Sequence, residues 1–117
     1  EPYLATAAQV TDAALAGAHP HCREALDLFC GFLGNAAGNL ALVLGAQGGV
    51  FIGGGIVPRL GEAFERSPFR ARFEGKGRFR GYLAAIPVFV VTARASPALR
   101  GAAVALDLDL PFAGRAF

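Results

Sequence analysis

Three consecutive glycines, set between a short apolar stretch and a proline, constrain this chain more than any other feature. Residues 48–59 read Gly-Gly-Val-Phe-Ile-Gly-Gly-Gly-Ile-Val-Pro-Arg. The apolar residues 50–52 predict a short strand, and Pro58 fits the first position of a helix. The glycines between them are Gly53, Gly54 and Gly55. The sequence therefore predicts that the chain passes from a strand through the three glycines directly into a helix.

These glycines also carry the first indication of function. Because they lack Cβ atoms, a flat ligand or a phosphate chain can approach their backbone closely. A helix N-terminus adds N–H groups and partial positive charge that suit an anion, and Arg59 could reach a phosphate from there. The segment therefore predicts a nucleotide or phosphate site, although it matches neither G-x-G-x-x-G nor a Walker loop. The alternative is that the glycines serve only tight packing of strand against helix.

Apolar periodicity predicts an α/β order for the rest of the chain. Residues 4–17 predict a short helix, residues 18–21 a turn, and residues 22–45 a long helix. The apolar face of the long helix is expected to be well buried and comprises Leu26, Phe29, Leu33, Ala36, Leu40 and Leu44. Gly34 and Gly38 lie four residues apart, a spacing that lets another backbone come close to this helix.

The second half of the chain predicts further short elements. Helices are expected at 58–66, 67–73, 78–85 and 96–106, with a turn at 75–77. Residues 88–92 are a continuous apolar run, which predicts a strand buried on both faces. The two strands should be parallel and joined by a right-handed crossover.

Two strands cannot bury faces this apolar by themselves, so the remainder of the sheet is expected elsewhere. The chain has no Met and begins at Glu1, and we therefore expect it to be part of a longer polypeptide. With 54% hydrophobic and 17% charged residues, and a net charge of +2, its composition does not indicate disorder. Cys22 and Cys30 are too far apart on one helix for a disulfide, at about 12 Å.

Five stretches, in order and with matching spacing, resemble bacterial glucokinases. Cys-Arg-Glu-Ala-Leu at 22–26 and Gly-Asn-Leu-Ala-Leu at 38–42 are similar to the long helix of that family. Residues 49–59 resemble its adenosine-side motif. The string Ser-Pro-Phe-Arg-Ala-Arg-Phe-Glu-Gly-Lys-Gly-Arg-Phe at 67–79 resembles the segment that follows, and Ile-Pro-Val-Phe-Val-Val at 86–91 the last strand.

The resemblance implies an α/β fold, part of a ribonuclease-H-like (actin-like ATPase) domain with parallel strands flanked by helices. Residues 1–106 would form the C-terminal, nucleotide-side portion of a glucokinase, with 107–117 a tail of uncertain structure. The family phosphorylates glucose with ATP and Mg²⁺ in the cytoplasm, commonly as a homodimer paired through the C-terminal domain. By the resemblance, the residues on the adenosine side are Gly53, Gly54 and Gly55, with Gly38 and Asn39 on the helix beside them.

Other motifs of the glucokinase family have no match here. They are the Asp-Gly-Gly-Thr phosphate loop, the catalytic Asp, and the Asn, Glu and His that hold the sugar. Near the last helix, Ala98 and Arg100 stand where the family prefers glycine and an apolar residue. We therefore expect no catalytic residue in this chain, no activity from it alone, and glucose binding only through the missing part. The alternative is a non-catalytic oligomerisation or interaction domain derived from a sugar kinase.

Several other kinds of site are less favoured by the sequence. His19, His21 and Cys22 could ligate a metal, but no second cluster completes a tetrahedral site. Asp107 and Asp109 could act together, yet carboxylates two residues apart in a tail are usually solvated. The sequence thus predicts no metal site.

Two further classes of partner are also disfavoured. Basic side chains between positions 59 and 80 interleave with glutamates, which is more typical of a solvated face than of nucleic-acid binding. They are Arg59, Arg66, Arg70, Arg72, Lys76, Arg78 and Arg80. Residues 28–58 carry no charge, but asparagines and glycines interrupt them, so we expect no membrane span.

Overall fold

A computed structural model describes residues 6–93 and 96–107 of the chain. The helices are α1 (Ala7–Leu15), α2 (Pro20–Leu44), α3 (Ile56–Leu60), α4 (Glu62–Glu65), α5 (Phe69–Glu74), α6 (Arg80–Ala84) and α7 (Pro97–Asp107). The strands are β1 (Val50–Ile52) and β2 (Val88–Val90), and a 3₁₀ turn at Gly77–Phe79 precedes α6. The α/β order predicted from the sequence is confirmed over these residues.

The first two helices are bounded by local capping signals. Thr6 forms a capping box with Gln9 at the start of α1, and Gly17 follows its end with φ +68°. The predicted turn over 18–21 is wrong in its second half, because α2 begins at Pro20. A proline fits the first turn of a helix, where its missing N–H would have no partner. Gly45, in the left-handed conformation, ends α2.

The side of α2 that packs inside the protein is made of small residues. A Cβ atom added to Gly34 would lie 2.2 Å from the carbonyl oxygen of Phe69, and one on Gly38 would lie 2.5 Å from that of Phe73. The backbone of α5 therefore rests directly on these two glycines, which confirms the close approach predicted from their spacing. The buried residues of α2 are Cys22, Leu26, Cys30, Gly31, Gly34, Ala37, Gly38 and Ala41.

The predicted apolar face of α2 is largely wrong. Of its six members only Leu26 is buried, whereas Leu40 and Leu44 are 59% and 73% exposed. The large side chains point outward because the contact with α5 is too close for them. The helix that was expected to be well buried is thus covered on one side only, and its other face is apolar and open.

The helix predicted over 58–66 is interrupted. It starts at Ile56, two residues before Pro58, and divides at Gly61 into α3 and α4. Gly61 has φ +54° and ψ −132°, a conformation that a helix cannot continue through. The helix predicted over 67–73 begins two residues later, at Phe69, with Pro68 as its N-cap residue. The Ser67 hydroxyl accepts from the Phe69 N–H at 3.3 Å.

The two strands are parallel, as predicted, with Phe51 opposite Phe89 in register. The prediction that the second strand is buried on both faces is wrong, because Phe89 is 46% exposed. Its neighbour on β1, Phe51, is 69% exposed. The two rings stack at 5.0 Å between centroids on the open side of the sheet. On the other side Ile52 is buried in the core. Within the described part of the chain, one sheet face is covered and the other is open.

Arg70 joins α5 to the end of α6 and the start of β2. Its guanidinium donates to the carbonyl oxygens of Ile86, Leu83 and Ala84 at 2.9, 3.2 and 3.0 Å. Nε also bonds Glu74 at 3.2 Å. The carbonyls at the end of a short helix need such donors, because no further turn of helix supplies them. This one side chain thereby links α5 to the segment between α6 and β2.

The last helix, α7, is capped by Ser96 as the sequence predicts, and Asp107 ends it. Asp109 and the rest of the predicted tail lie outside the described residues.

In the described part of the chain, one helix is long and apolar enough to cross a membrane by length and composition, namely α2. The core helix of a soluble protein passes the same test, so this is weak support for a span.

Candidate functional site

The three glycines follow the carboxyl end of β1 and lead into α3, with Gly55 as the N-cap residue. A Cβ atom added to Gly53, Gly54 or Gly55 would meet no heavy atom within 4 Å. This contrasts with Gly34 and Gly38, where backbone already occupies that space. In the described structure the glycines are therefore not explained by tight packing of strand against helix. Their backbone is open to a ligand.

The conformation of Gly54 adds a second constraint. Its φ of +102° lies in the region that side-chain-bearing residues rarely adopt.

The helix that follows is a weaker anion site than the sequence predicts. α3 has only five residues, and Pro58 in its third position lacks an N–H. The open backbone, more than the helix dipole, distinguishes this end of β1.

A cavity of about 320 Å³ adjoins the last of the three glycines. It lies between α1 and α3 and is lined by Ala7, Ala8, Thr11, Gly55, Ile56 and Arg59. A second pocket of about 290 Å³ shares Ala7, Thr11 and Ile56 with it as lining residues. The walls are mainly methyl groups, with the Thr11 hydroxyl and the Arg59 guanidinium as polar groups. The sequence alone did not indicate that α1 lies beside the glycines.

An ion pair connects the two helices at this cavity. Arg59 Nη2 lies 3.3 Å from Asp12 Oδ1, across 47 positions of sequence. Both side chains are more than half exposed. Sequence reasoning singled out Arg59 but missed Asp12, because a contact between helices far apart in sequence leaves no local pattern.

The other two predicted site residues lie on α2. Gly38 is buried against the carbonyl of Phe73, and Lys76 Cε would lie 3.2 Å from a Cβ at this position. Asn39 is exposed. One turn earlier, Lys76 Nζ donates to the backbone carbonyl of Asn35 at 3.3 Å and also to its side-chain oxygen. The close contact at Gly38 gives this glycine a packing role with α5.

Several of the remaining candidates are buried or form ion pairs, whereas His19, the N-cap residue of α2, makes no side-chain cap hydrogen bond. Cys22 and Cys30 are free and buried, and burial raises the pKa of the Cys30 thiol above 9.0 although a hydrogen bond with Ser67 opposes this. Among the described residues, no group of three or more His, Cys, Asp or Glu could hold a metal ion. Of the basic residues from 59 to 80, three form ion pairs, with the partners Asp12, Glu62 and Glu74.

Comparison with known proteins agrees with this arrangement. The glucokinase family profile matches residues 1–109 of the chain. The chain belongs to the glucokinase family. It is 59% identical over 102 residues to the glucokinase of Neisseria meningitidis serogroup B strain MC58, which covers 87% of this chain and 31% of that protein. It is 63% identical over 99 residues to the glucokinase of Chromobacterium violaceum, covering 85% and 28%.

A solved glucokinase structure supports the fold. The crystal structure of a glucokinase from an Antarctic psychrotroph matches with a TM-score of 0.74 and 41% identity, over 92% of this chain and 33% of that chain. The α/β arrangement described above is therefore that of a region of a glucokinase. This glucokinase-family chain spans about a third of the length of the relatives it matches.

Proposed function

We propose that this chain is the nucleotide-side portion of an ATP-dependent glucose kinase of the cytoplasm. The complete enzyme transfers the γ-phosphoryl group of ATP to glucose and forms glucose 6-phosphate. The two parallel strands belong to a ribonuclease-H-like sheet whose other strands come from the rest of the polypeptide. Glucose and Mg²⁺–ATP meet between this portion and the portion that carries the sugar ligands.

One observation carries this proposal. Three glycines stand at the carboxyl end of a parallel strand, where α/β proteins bind ligands, and open space lies over each of them. Gly34 and Gly38 are instead covered by backbone, whereas other glycines with open space around them, such as Gly77 and Gly81, do not follow the end of a strand. Open backbone at this position suits close approach by the adenosine of ATP or ADP, with Asn39 of α2 as a more distant member of the site.

The test uses a complete glucokinase that carries this chain, such as the Neisseria meningitidis enzyme with this chain in place of its matching region. Replacing Gly54 by Val should raise the KM for ATP at least tenfold more than the KM for glucose. Gly53→Val tests ligand approach where the backbone φ is not positive. Gly77→Val is the matched control, because Gly77 has φ +57° with open space around it. Equal KM values for all variants would show that the glycines bind no nucleotide.

We also propose that the chain alone does not catalyse the reaction. Phosphoryl transfer depends on groups positioned around the transferred phosphate, and none of the family's catalytic or sugar-binding motifs is present. A coupled assay with glucose and ATP should show no turnover for this chain. Turnover that is lost in the Gly54→Val variant would refute the assignment as a partial site.

A second candidate function is self-association through α2. The outward face of this helix carries large exposed apolar side chains, namely Leu28, Phe32, Leu40, Val43 and Leu44. Exposed apolar area of this kind marks interaction surfaces, and a two-fold pairing would place α2 against α2. Sedimentation should show a dimer at tens of micromolar that Val43→Glu dissociates. Since Val43 is 82% exposed, this change should leave the fold intact. A monomer at all concentrations would refute the pairing.

A further inference from the structure

A cavity of about 360 Å³ lies between the first half of α2 and the start of α5. Helix α2 contributes most of its lining, and Pro68 and Arg72 line it from the side of α5. None of the three glycines after β1 and no residue of α1 borders it. Its volume is in the range of small-molecule pockets, so the class of ligand can be inferred from its walls.

Part of the cavity wall is apolar and open to solvent. Leu28 and Phe32 lie one helical turn apart on α2 and are 51% and 67% exposed. Pro20 and Pro68 add further apolar surface. Covering such side chains with an apolar group removes them from water, which is favourable. A ligand of this cavity should therefore carry a large apolar group.

Gly31 lines the cavity from the interior of α2, where glycine is less favourable than alanine. At Gly34 and Gly38 the backbone of α5 leaves no room for a Cβ atom. A Cβ atom on Gly31 would meet, beyond its own stretch of helix, only Cγ of Arg72 at 3.7 Å, an ordinary contact. Packing of α2 against α5 therefore does not require glycine at this position. The missing side chain instead leaves space in the cavity.

The cavity also contains charged groups of both signs. Arg23 Nε lies 3.4 Å from Asp27 Oδ1, so these two charges offset each other. Within the described part of the chain, Glu24 and Arg72 form no ion pair. A guanidinium can bind a carboxylate through two parallel hydrogen bonds, and a carboxylate accepts hydrogen bonds from an ammonium group. A ligand with one charge of each sign would complement both side chains.

We propose that this cavity binds a free α-amino acid with a large apolar side chain. The α-carboxylate pairs with Arg72, the α-ammonium group pairs with Glu24, and the apolar side chain packs on Leu28 and Phe32. A residue inside a peptide carries neither of the two backbone charges, so the free amino acid is the better match. The site is separate from the proposed nucleotide site and does not depend on it.

The test is a calorimetric titration of this chain, to which every lining residue belongs. L-Phenylalanine is the probe and should bind with a dissociation constant of about 1 mM or lower. Phenylpropionate lacks the ammonium group and phenylethylamine lacks the carboxylate, so each should bind about tenfold more weakly. Because Leu28 and Phe32 also lie on the outward face of α2, the titration uses a concentration at which sedimentation shows a single species.

These titrations can overturn the proposal in two ways. Absence of binding by L-phenylalanine would refute the site. Phenylpropionate binding as tightly as L-phenylalanine would refute the amino acid as its ligand.

Variants of Gly31 separate binding from packing. Gly31→Ala should raise the melting temperature, because alanine favours the helix and the new methyl group meets no backbone of α5. Gly31→Leu should fill the cavity and abolish binding of L-phenylalanine without lowering the melting temperature. A lower melting temperature in Gly31→Ala would show that packing requires the glycine. Unchanged affinity in Gly31→Leu would refute the cavity as the binding site.

Variants of the charged residues test the two ends of the ligand. Arg72→Met and Glu24→Gln should each weaken binding of L-phenylalanine about tenfold, whereas only Arg72→Met should weaken binding of phenylpropionate. The matched control is Arg80→Met, which removes another exposed arginine that forms no ion pair in the described part of the chain and does not line the cavity. It should leave the affinity unchanged. Equal losses in Arg80→Met and Arg72→Met would overturn the assignment of the carboxylate to Arg72.

Discussion

Replacing Gly34 by Ala should be among the most destabilising single-methyl changes in this chain. The new Cβ would lie 2.2 Å from the carbonyl oxygen of Phe69 and 2.9 Å from its carbonyl carbon. Ordinary contacts begin near 3.4 Å, so α5 must move away from α2 by roughly 1 Å. Both neighbours are backbone, and no side chain can rotate to relieve the overlap.

The magnitude follows from two opposing effects. Overpacking a close contact costs about 1–3 kcal/mol, occasionally more. Alanine in a helix interior recovers about 1 kcal/mol relative to glycine. Because the overlap here is with backbone and exceeds 1 Å, we expect the upper end, a net loss of about 2 kcal/mol. For a chain of this size that lowers the melting temperature by about 8 °C.

Thermal and urea unfolding of the chain followed by circular dichroism measures this effect. The matched control is Gly81→Ala, a glycine inside α6 around which no heavy atom lies within 4 Å of an added Cβ. That change should raise stability by about 0.5–1 kcal/mol. If Gly34→Ala is as stable as Gly81→Ala, the close contact between α2 and α5 does not exist as described.

Two other changes test separate parts of the fold. Arg70→Met leaves the carbonyls of Ile86, Leu83 and Ala84 without their donor, and should lower the free energy of unfolding by about 2–3 kcal/mol in urea titrations. Arg72→Met should lower it by less than about 1 kcal/mol. Equal losses would contradict a stabilising role for the Arg70 hydrogen bonds. Burial raises the pKa of the Cys30 thiol above its ordinary value of 9.0. The stability that the neutral thiol contributes is therefore fully present below pH 9.0, and it is lost as the pH rises through the raised pKa of the folded protein. The free energy of unfolding should therefore fall more steeply above pH 9 in the wild type than in Cys30→Ala, and parallel curves would refute this.

Local signals in the sequence determined most of the element order. The glycine triad, the existence of α5 after Ser67, the Gly34–Gly38 spacing and the apolar residues of the two strands could all be recognised, because each depends on residues close together in the chain. The family could be recognised for the same reason, since each of the five stretches that resemble it is a short run of consecutive residues. Errors in bounds arose at Pro20 and Gly61, where a single backbone conformation starts or divides a helix.

Only the tertiary structure decided which side of α2 is covered. Hydrophobicity favoured the face with leucines, but backbone contact favoured the face with glycines, since carbonyls of α5 can approach only where no Cβ stands. The tertiary structure also brought α1 beside the triad, through a contact between Asp12 and Arg59. Contacts of that kind depend on how helices distant in the chain pack, and no periodicity in a single sequence records them.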